Sequence, residues 1–89
     1  MKDREHRKHF QFKDGIYEGE WFKGSNIREG RGIVIFLNDS IFEGWYKNGK
    51  QTGKGRLIFG EPPWVGDFYE GDYLDGDWTG FGTYTSANG

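Results

Sequence analysis

Glycines recur at fixed positions along this chain of 89 residues. Gly19, Gly44 and Gly71 each lie at the centre of a similar phrase, YEGEW, FEGWY or YEGDY. In every copy another glycine follows five residues later, and a Gly-x-Gly pair then closes the unit. These glycines are Gly24, Gly49 and Gly76, followed by the pairs Gly30/Gly32, Gly53/Gly55 and Gly80/Gly82. Self-similarity at a period of 25 to 27 residues predicts a repeat architecture.

The differences between the copies are confined to two short segments. Residues 25–29 make the first copy two residues longer than its counterparts, and residues 61–67 separate the second copy from the third. Because loops tolerate insertions better than strands do, both segments are expected to be loops.

Each copy has the pattern of a β-hairpin. In IYEGEWF, Tyr17, Gly19 and Trp21 share one face of a strand because side chains alternate along it. A glycine-rich turn follows, in which Asn48-Gly49 and Asp75-Gly76 are strong turn signals. Return strands are predicted at residues 33–36, 56–59 and 83–86, with their apolar side chains on the aromatic face.

An additional strand is predicted before the first hairpin, at residues 10–15. Phe10 and Phe12 match Val34 and Phe36 of a return strand. The predicted fold is therefore all-β: an elongated single-sheet solenoid of three antiparallel hairpins plus one N-terminal strand. Seven strands at about 4.8 Å each would extend roughly 30 Å.

Glycine between two aromatics on one face suggests that rings lie over the bare backbone. Stacking the copies predicts two ladders, one of Tyr17, Phe42 and Tyr69 and the other of Trp21, Tyr46 and Tyr73. Aromatic pairs contribute about 0.5 to 1.5 kcal/mol beyond area burial. Such ladders could replace the large core that so short a chain lacks.

Composition limits the class of protein further. Glycine accounts for 16 residues and aromatics for 19%, which argues for β-structure rather than disorder. Cysteine is absent, so disulfides and thiolate metal sites are excluded, and a cytoplasmic location is expected.

Charge is distributed unevenly although the net charge is only −2. Residues 1–9 are read as a charged leader, followed by a repeat domain at 10–89 with repeats at about 16–40, 41–67 and 68–89. From Leu57 onward there are six acidic residues and neither Lys nor Arg. This uneven distribution of charge predicts different partners for the two ends of the chain.

The phrases YEGEWFKG, FEGWYKNGKQTGKG and YEGDYLDGDWTGFG make the chain resemble MORN (membrane occupation and recognition nexus) repeat proteins. The resemblance covers residues 10–89; Trp45 lies one position early, Asn38-Asp39 replaces Asp-Gly, and GEPPWVGD is inserted. It implies a hairpin solenoid with a concave aromatic face and no chemistry of its own. It also implies a scaffold at cytoskeletal structures, cilia or membrane contact zones.

The sequence offers no catalytic constellation and no cofactor site. His6 and His9 lie apart from any patterned nucleophile, and with Glu5 they make a poor metal set. Glu18, Glu43 and Glu70 are explained by the repeat as the polar face of successive strands rather than as glycosidase carboxylates. The acidic balance argues against nucleic acid as a partner.

A protein partner, or self-association through open sheet edges, is the favoured function. The final strand around Phe81 and Tyr84 is expected to need a covering partner or second copy, since an unpaired edge is a template for another strand. Trp64 in the inserted loop either anchors a partner or seals the repeat junction. The groove aromatics Tyr17, Trp21, Phe42, Tyr46, Tyr69 and Tyr73 are also candidate contacts. The alternative is a peripheral phospholipid-binding module that uses the basic leader, although its interleaved acids support this weakly.

Overall fold

The computed structural model describes residues 4–88, which form one antiparallel sheet of seven strands. Met1 to Asp3 of the predicted leader and the closing Gly89 lie outside the described residues. The strands are β1 (Arg4–Phe12), β2 (Gly15–Phe22), β3 (Arg28–Phe36), β4 (Ile41–Lys47), β5 (Lys50–Ile58), β6 (Phe68–Leu74) and β7 (Asp77–Thr85). Each strand pairs with its neighbours in chain order. The predicted all-β hairpin array is confirmed.

Three hairpins follow β1, as the repeat predicted: β2–β3, β4–β5 and β6–β7. Within residues 4–88, no helix is long and apolar enough to cross a membrane. The strand predicted at residues 10–15 starts earlier, at Arg4. Most of the charged segment therefore belongs to the sheet.

The return strands are longer than predicted because the glycine-rich segments are not extended turns. Asn48-Gly49 and Asp75-Gly76 make tight turns, with positive φ at both residues of each pair. The Gly-x-Gly pairs lie inside β3, β5 and β7 instead. The alternation of aromatic and polar residues could not reveal these strands, since glycine carries no side chain to alternate.

A bulge recurs at the same position in every hairpin. The pairing register shifts after Gly19, after Gly44 and after Gly71, whereas β3–β4 and β5–β6 pair without a shift. The first glycine of each Gly-x-Gly pair lies opposite this shift and has positive φ: 96° at Gly30, 65° at Gly53 and 93° at Gly80. A glycine in the left-handed region is what one common type of β-bulge requires.

A row of glycines crosses the sheet. Cross-strand pairing joins one glycine from each strand from β2 to β7. The glycine row consists of Gly19, Gly32, Gly44, Gly55, Gly71 and Gly82. In β1 the row continues with Arg7, which pairs with Gly19.

The opposite face of the sheet carries an apolar row that the sequence analysis missed. Cross-strand pairing aligns Ile16, Ile35, Ile41, Ile58 and Phe68 over five strands. Beside this row, Glu43 pairs across the strands with Arg56, and Arg56 pairs in turn with Glu70. The expected polar face is therefore mixed: one of its rows is apolar, and the carboxylates lie in the rows beside it.

Candidate functional site

The six groove aromatics of the repeat are buried. Tyr17, Trp21 and Phe42 have no exposed surface, and Tyr46, Tyr69 and Tyr73 are each 4% exposed. Together with Val34 they form the core of the protein. This burial agrees with the predicted role of the six aromatics in holding the array together. That some of them contact a partner stays a prediction.

The rings lie over the glycine row as expected. A Cβ added at Gly44 would lie 2.7 Å from Cζ of Phe42, and one added at Gly55 would lie 2.6 Å from Cε1 of the same ring. The Tyr17 hydroxyl reaches past Gly19 and donates to the carbonyl oxygen of Glu20 at 2.6 Å. Tyr69 makes the equivalent bond to Asp72. The bare backbone of the glycines therefore makes room for rings.

The two ladders predicted from the sequence are wrong in detail, because the rings form a single zigzag. Tyr17 packs edge-on against Tyr46 with centroids 5.4 Å apart, and Phe42 packs in the same way against Tyr73 at 5.0 Å. Within each hairpin the two aromatics also meet edge-to-face: Tyr17 with Trp21, Phe42 with Tyr46, and Tyr69 with Tyr73. Edge-to-face packing is a preferred arrangement for aromatic pairs, so one continuous contact replaces two columns.

Cations close the N-terminal end of this aromatic face. The guanidinium of Arg28 lies 4.2 Å from the Phe12 ring centroid and 4.9 Å from that of Tyr46, and it pairs with Asp14 at 3.5 Å. Arg7 lies 4.4 Å from the Trp21 centroid. Cation–π contacts of this kind stabilise by about 0.5 to 2 kcal/mol.

Burial changes the acidity of the core tyrosines. Loss of solvation raises the pKa of Tyr17 and of Tyr73 to about 12, and it also raises the pKa of Tyr46. The Tyr73 hydroxyl forms no hydrogen bond of normal geometry within residues 4–88, although the nearby Trp78 side chain partly offsets the effect of burial on the pKa of Tyr73. These phenols therefore stay neutral at physiological pH.

The C-terminal end of the aromatic face is far more open. Every residue of β7 except Thr85 is exposed. Trp78 stacks on Tyr69 with centroids 4.2 Å apart, yet it remains 43% exposed, and Phe81 is 77% exposed. Phe81 is adjacent to Gly82 of the glycine row, so it lies on the opposite face of the sheet from Trp78.

Asp67 fixes the last strand to the loop before β6. Its carboxylate accepts hydrogen bonds from the Tyr84 hydroxyl and from the amide of Ala87. The bond from Tyr84 is the main reason why the pKa of Asp67 is lowered, and the same bond raises the pKa of Tyr84. The predicted contact residue Tyr84 thus has a structural role as well.

Trp64 lies in the loop between β5 and β6 and is half-exposed. The loop is closed by backbone bonds from Trp64 to Glu61 and from Asp67 to Trp64. Gly60 joins it to the β3–β4 turn by donating to Oγ of the buried Ser40 at 3.0 Å. The Trp64 side chain lines a cleft rather than joining the zigzag of rings.

This cleft opens on the aromatic face and has a volume of about 530 Å³. Its apolar lining is formed mainly by Phe36, Leu57, Phe59, Trp64, Tyr73 and Trp78. Asp14, Asn38 and Glu61 lie at the end where three turns meet. Sequence reasoning missed the cleft because its walls come from four different strands and a loop.

The acid–base groups are dispersed. His9 Nε2 lies 3.4 Å from the Glu18 carboxylate, while His6 pairs across the strands with Glu20. In the part of the chain that the structure describes, His, Cys, Asp and Glu side chains form no group of three suited to a metal ion. The described residues therefore offer surfaces for packing and binding rather than a cluster of acid–base groups.

Comparison with known proteins identifies alsin as similar to this chain. Alsin from Homo sapiens, from Rattus norvegicus and from Mus musculus is in each case 30% identical over 80 residues. The alignment covers 89% of this chain, but the chain spans only 5% of the length of these curated relatives. No protein-family model matches the chain. The chain is thus an antiparallel hairpin array that is similar to a short segment of alsin.

Proposed function

We propose that this chain is a MORN repeat module that acts as a non-enzymatic structural adaptor and binds a protein within a larger assembly. Three observations support the MORN assignment: the recurring aromatic-Glu-Gly phrase, the glycine row covered by rings, and the similarity to a segment of alsin. In this proposal the adaptor works in the cytoplasm, at cytoskeletal or ciliary structures.

The exposed strand β7 is the observation that carries the adaptor function. Among the described residues β7 is the outermost strand at its end of the sheet. It carries Trp78, Phe81 and Tyr84 but no Lys, Arg or Pro, the residues that usually protect sheet edges. Main-chain groups on such an edge can pair with a strand from a partner, which is a common mode of peptide recognition.

The other outer strand, β1, is protected. It is rich in charge, and its pairing with β2 is irregular between Arg7 and Phe10. Charges and bulges on an edge strand disfavour pairing with another chain. The contrast between the two outer strands supports β7 as the binding edge.

The basic end gives little support to phospholipid binding, the second function that the sequence suggested. Arg4 pairs with Glu20 at 3.6 Å, and Arg7 pairs with Glu5 at 3.1 Å. Because these carboxylates offset much of the positive charge, attraction to an anionic membrane is weakened.

Affinity purification from native lysate tests the adaptor function. Phe81→Lys places a charge on the β7 edge, and its matched control, Leu74→Lys, makes the same change at a residue that is 61% exposed one strand further in. We expect wild type and control to retain the same proteins, as quantified by mass spectrometry, and Phe81→Lys to lose them.

Two results would contradict the proposal. One is a set of retained proteins that does not depend on Phe81. The other is salt-sensitive co-sedimentation with vesicles of phosphatidylserine and phosphatidylcholine, combined with no protein retained above background.

A further inference from the structure

The cleft on the aromatic face has the dimensions and lining of a ligand site. Its volume of about 530 Å³ lies within the range of about 300 to 1,000 Å³ that is typical of such sites. Leu57 is only partly buried, and Trp64 and Trp78, which also line the cleft, are nearly half-exposed. An apolar side chain entering the cleft would therefore remove apolar surface from water on both molecules.

The charged groups at the cleft are all acidic. Asp14 and Glu61 are the ionisable residues that line it besides Tyr73, and Lys, Arg and His are absent from its lining in the described part of the chain. Asp14 is already paired with Arg28 at 3.5 Å. Glu61 accepts a hydrogen bond from the Asn38 amide at 3.3 Å and forms no ion pair within residues 4–88. Glu61 is therefore available to a cation on the ligand.

The third hairpin adds to this negative potential. It carries four acidic residues and no Lys or Arg. Glu70 and Asp72 are paired with Arg56 and Lys54, whereas Asp75 and Asp77, beside the cleft residue Gly76, form no ion pair within residues 4–88. A cationic ligand is attracted to such a surface, whereas an anionic headgroup or an acidic peptide is repelled. The cleft thus combines apolar walls with a preference for positive charge.

We propose that this cleft binds a segment of a partner polypeptide that inserts an apolar side chain over Leu57 and places a lysine or arginine beside Glu61. This inference rests on the proposed adaptor function, and it defines the chemistry of the partner. The apolar side chain supplies the contact area, and the neighbouring cation selects the segment by charge complementarity.

A phage-displayed library of random dodecapeptides, selected on the immobilised 89-residue chain, tests this chemistry. We expect the enriched peptides to contain an aliphatic or aromatic residue within two positions of Lys or Arg. The affinity of a synthesised peptide is then measured by isothermal titration calorimetry. Enrichment of peptides without a cation, or no enrichment over an uncoated surface, would overturn the proposal.

Two variants test whether the peptide binds in the cleft. Glu61→Lys reverses the charge at an exposed loop residue, and we expect it to weaken binding about tenfold or more. Leu57→Phe fills the floor of the cleft, and its thermal transition shows whether the fold is retained. The control is Glu18→Lys, which makes the same charge reversal on the opposite face and should leave the affinity within about twofold.

The outcomes separate the cleft from the adaptor function. If peptide affinity is unchanged by Glu61→Lys, the cleft assignment is wrong. If Phe81→Lys abolishes protein capture but Glu61→Lys and a folded Leu57→Phe do not, the adaptor function stands and the cleft assignment is wrong. A concentration-dependent dimer in light scattering that Leu57→Phe dissociates would make a second copy the occupant and overturn the proposal.

Discussion

Tyr17, Phe42 and Tyr69 each lie over the glycine two residues further along the same strand and over the glycine paired with it on the next strand. A hydroxyl completes the arrangement in Tyr17 and Tyr69 by bonding to the carbonyl three residues on. The aromatic-x-Gly phrase is therefore a unit in which the ring covers a backbone that no side chain could share.

Gly44→Ala tests this unit. The added Cβ would lie 2.7 Å from Cζ of Phe42 and 2.9 Å from Cα of Gly55, so both a ring and a backbone must move. We expect the free energy of unfolding to fall by about 1 to 3 kcal/mol, measured by urea denaturation.

The control for Gly44→Ala is a glycine with free space around it. Gly24 has no heavy atom within 4 Å of an added Cβ, and its φ of 77° is one that Asn tolerates. Gly24→Asn should change stability by less than about 0.5 kcal/mol. Equal losses in the two variants would contradict the role given to the rings.

The buried tyrosines predict a loss of stability at high pH. Because burial raises the pKa of Tyr17 and Tyr73 to about 12 and raises that of Tyr46, the unfolded chain releases phenolic protons at a lower pH than the folded protein does. Stability should therefore be complete below pH about 10, the ordinary tyrosine pKa, and fall as the pH rises further. Urea midpoints measured from pH 7 to 11.5 check this.

Tyr73→Phe is the matching control for the pH dependence. Since the Tyr73 hydroxyl is buried and has at most a weak contact with Trp78, its removal should leave the free energy of unfolding at pH 7 unchanged or raised. Above pH 10, the slope of the free energy of unfolding against pH should become shallower by about 1.4 kcal/mol per pH unit. An identical slope in wild type and variant would show that Tyr73 does not contribute to it.

At the scale of the elements, strands could be predicted wherever side chains alternate, and they were missed wherever glycine interrupts the alternation. The opening strands β2, β4 and β6 follow directly from their aromatic and acidic residues. The first halves of β3, β5 and β7 contain the Gly-x-Gly pairs, whose strand conformation depends on a bulge at Gly30, Gly53 or Gly80. Pairing across the sheet, rather than local sequence, determines the strand conformation of these segments.

Exposure predicts that β7 opens more readily than the central strands. Its side chains are exposed except for Thr85, whereas β2 and β4 each carry two fully or nearly fully buried aromatics. Amides of β7 that bond to β6 should exchange with deuterium about tenfold or more faster than hydrogen-bonded amides of β3 and β4. Hydrogen exchange followed by mass spectrometry checks this, and equal protection across the sheet would contradict it.

At the scale of the whole molecule, the substantial contacts between strands join chain neighbours. The repeat period and aromatic rows could be predicted from sequence because they depend on such local contacts. The zigzag and the cleft could not, since ring orientation and the meeting of Asp14, Asn38 and Glu61 depend on how three turns pack. The apolar row escaped notice because Ile16 and Ile35 alternate with the side chains of the aromatic face, and the carboxylates of the repeat had marked the other face as polar.

Coupling between mutations should reflect this nearest-neighbour organisation. Tyr17 and Tyr46 touch edge-to-face, so Tyr17→Leu and Tyr46→Leu should show a coupling energy of about 0.5 to 1.5 kcal/mol. Phe12→Leu and Trp78→Leu, which alter β1 and β7, should add to within about 0.5 kcal/mol. Double-mutant cycles in urea provide both values, and strong coupling between Phe12 and Trp78 would contradict this organisation.

The separation of charge between the two ends of the sheet has a consequence of its own. β1 carries three cations and one carboxylate, whereas the third hairpin at the opposite end carries four carboxylates and no Lys or Arg. The protein is therefore an electric dipole along the direction in which its strands succeed one another. An approaching charged molecule experiences a torque before any surface meets, and dissolved salt shortens the range of that alignment to about 8 Å at physiological ionic strength.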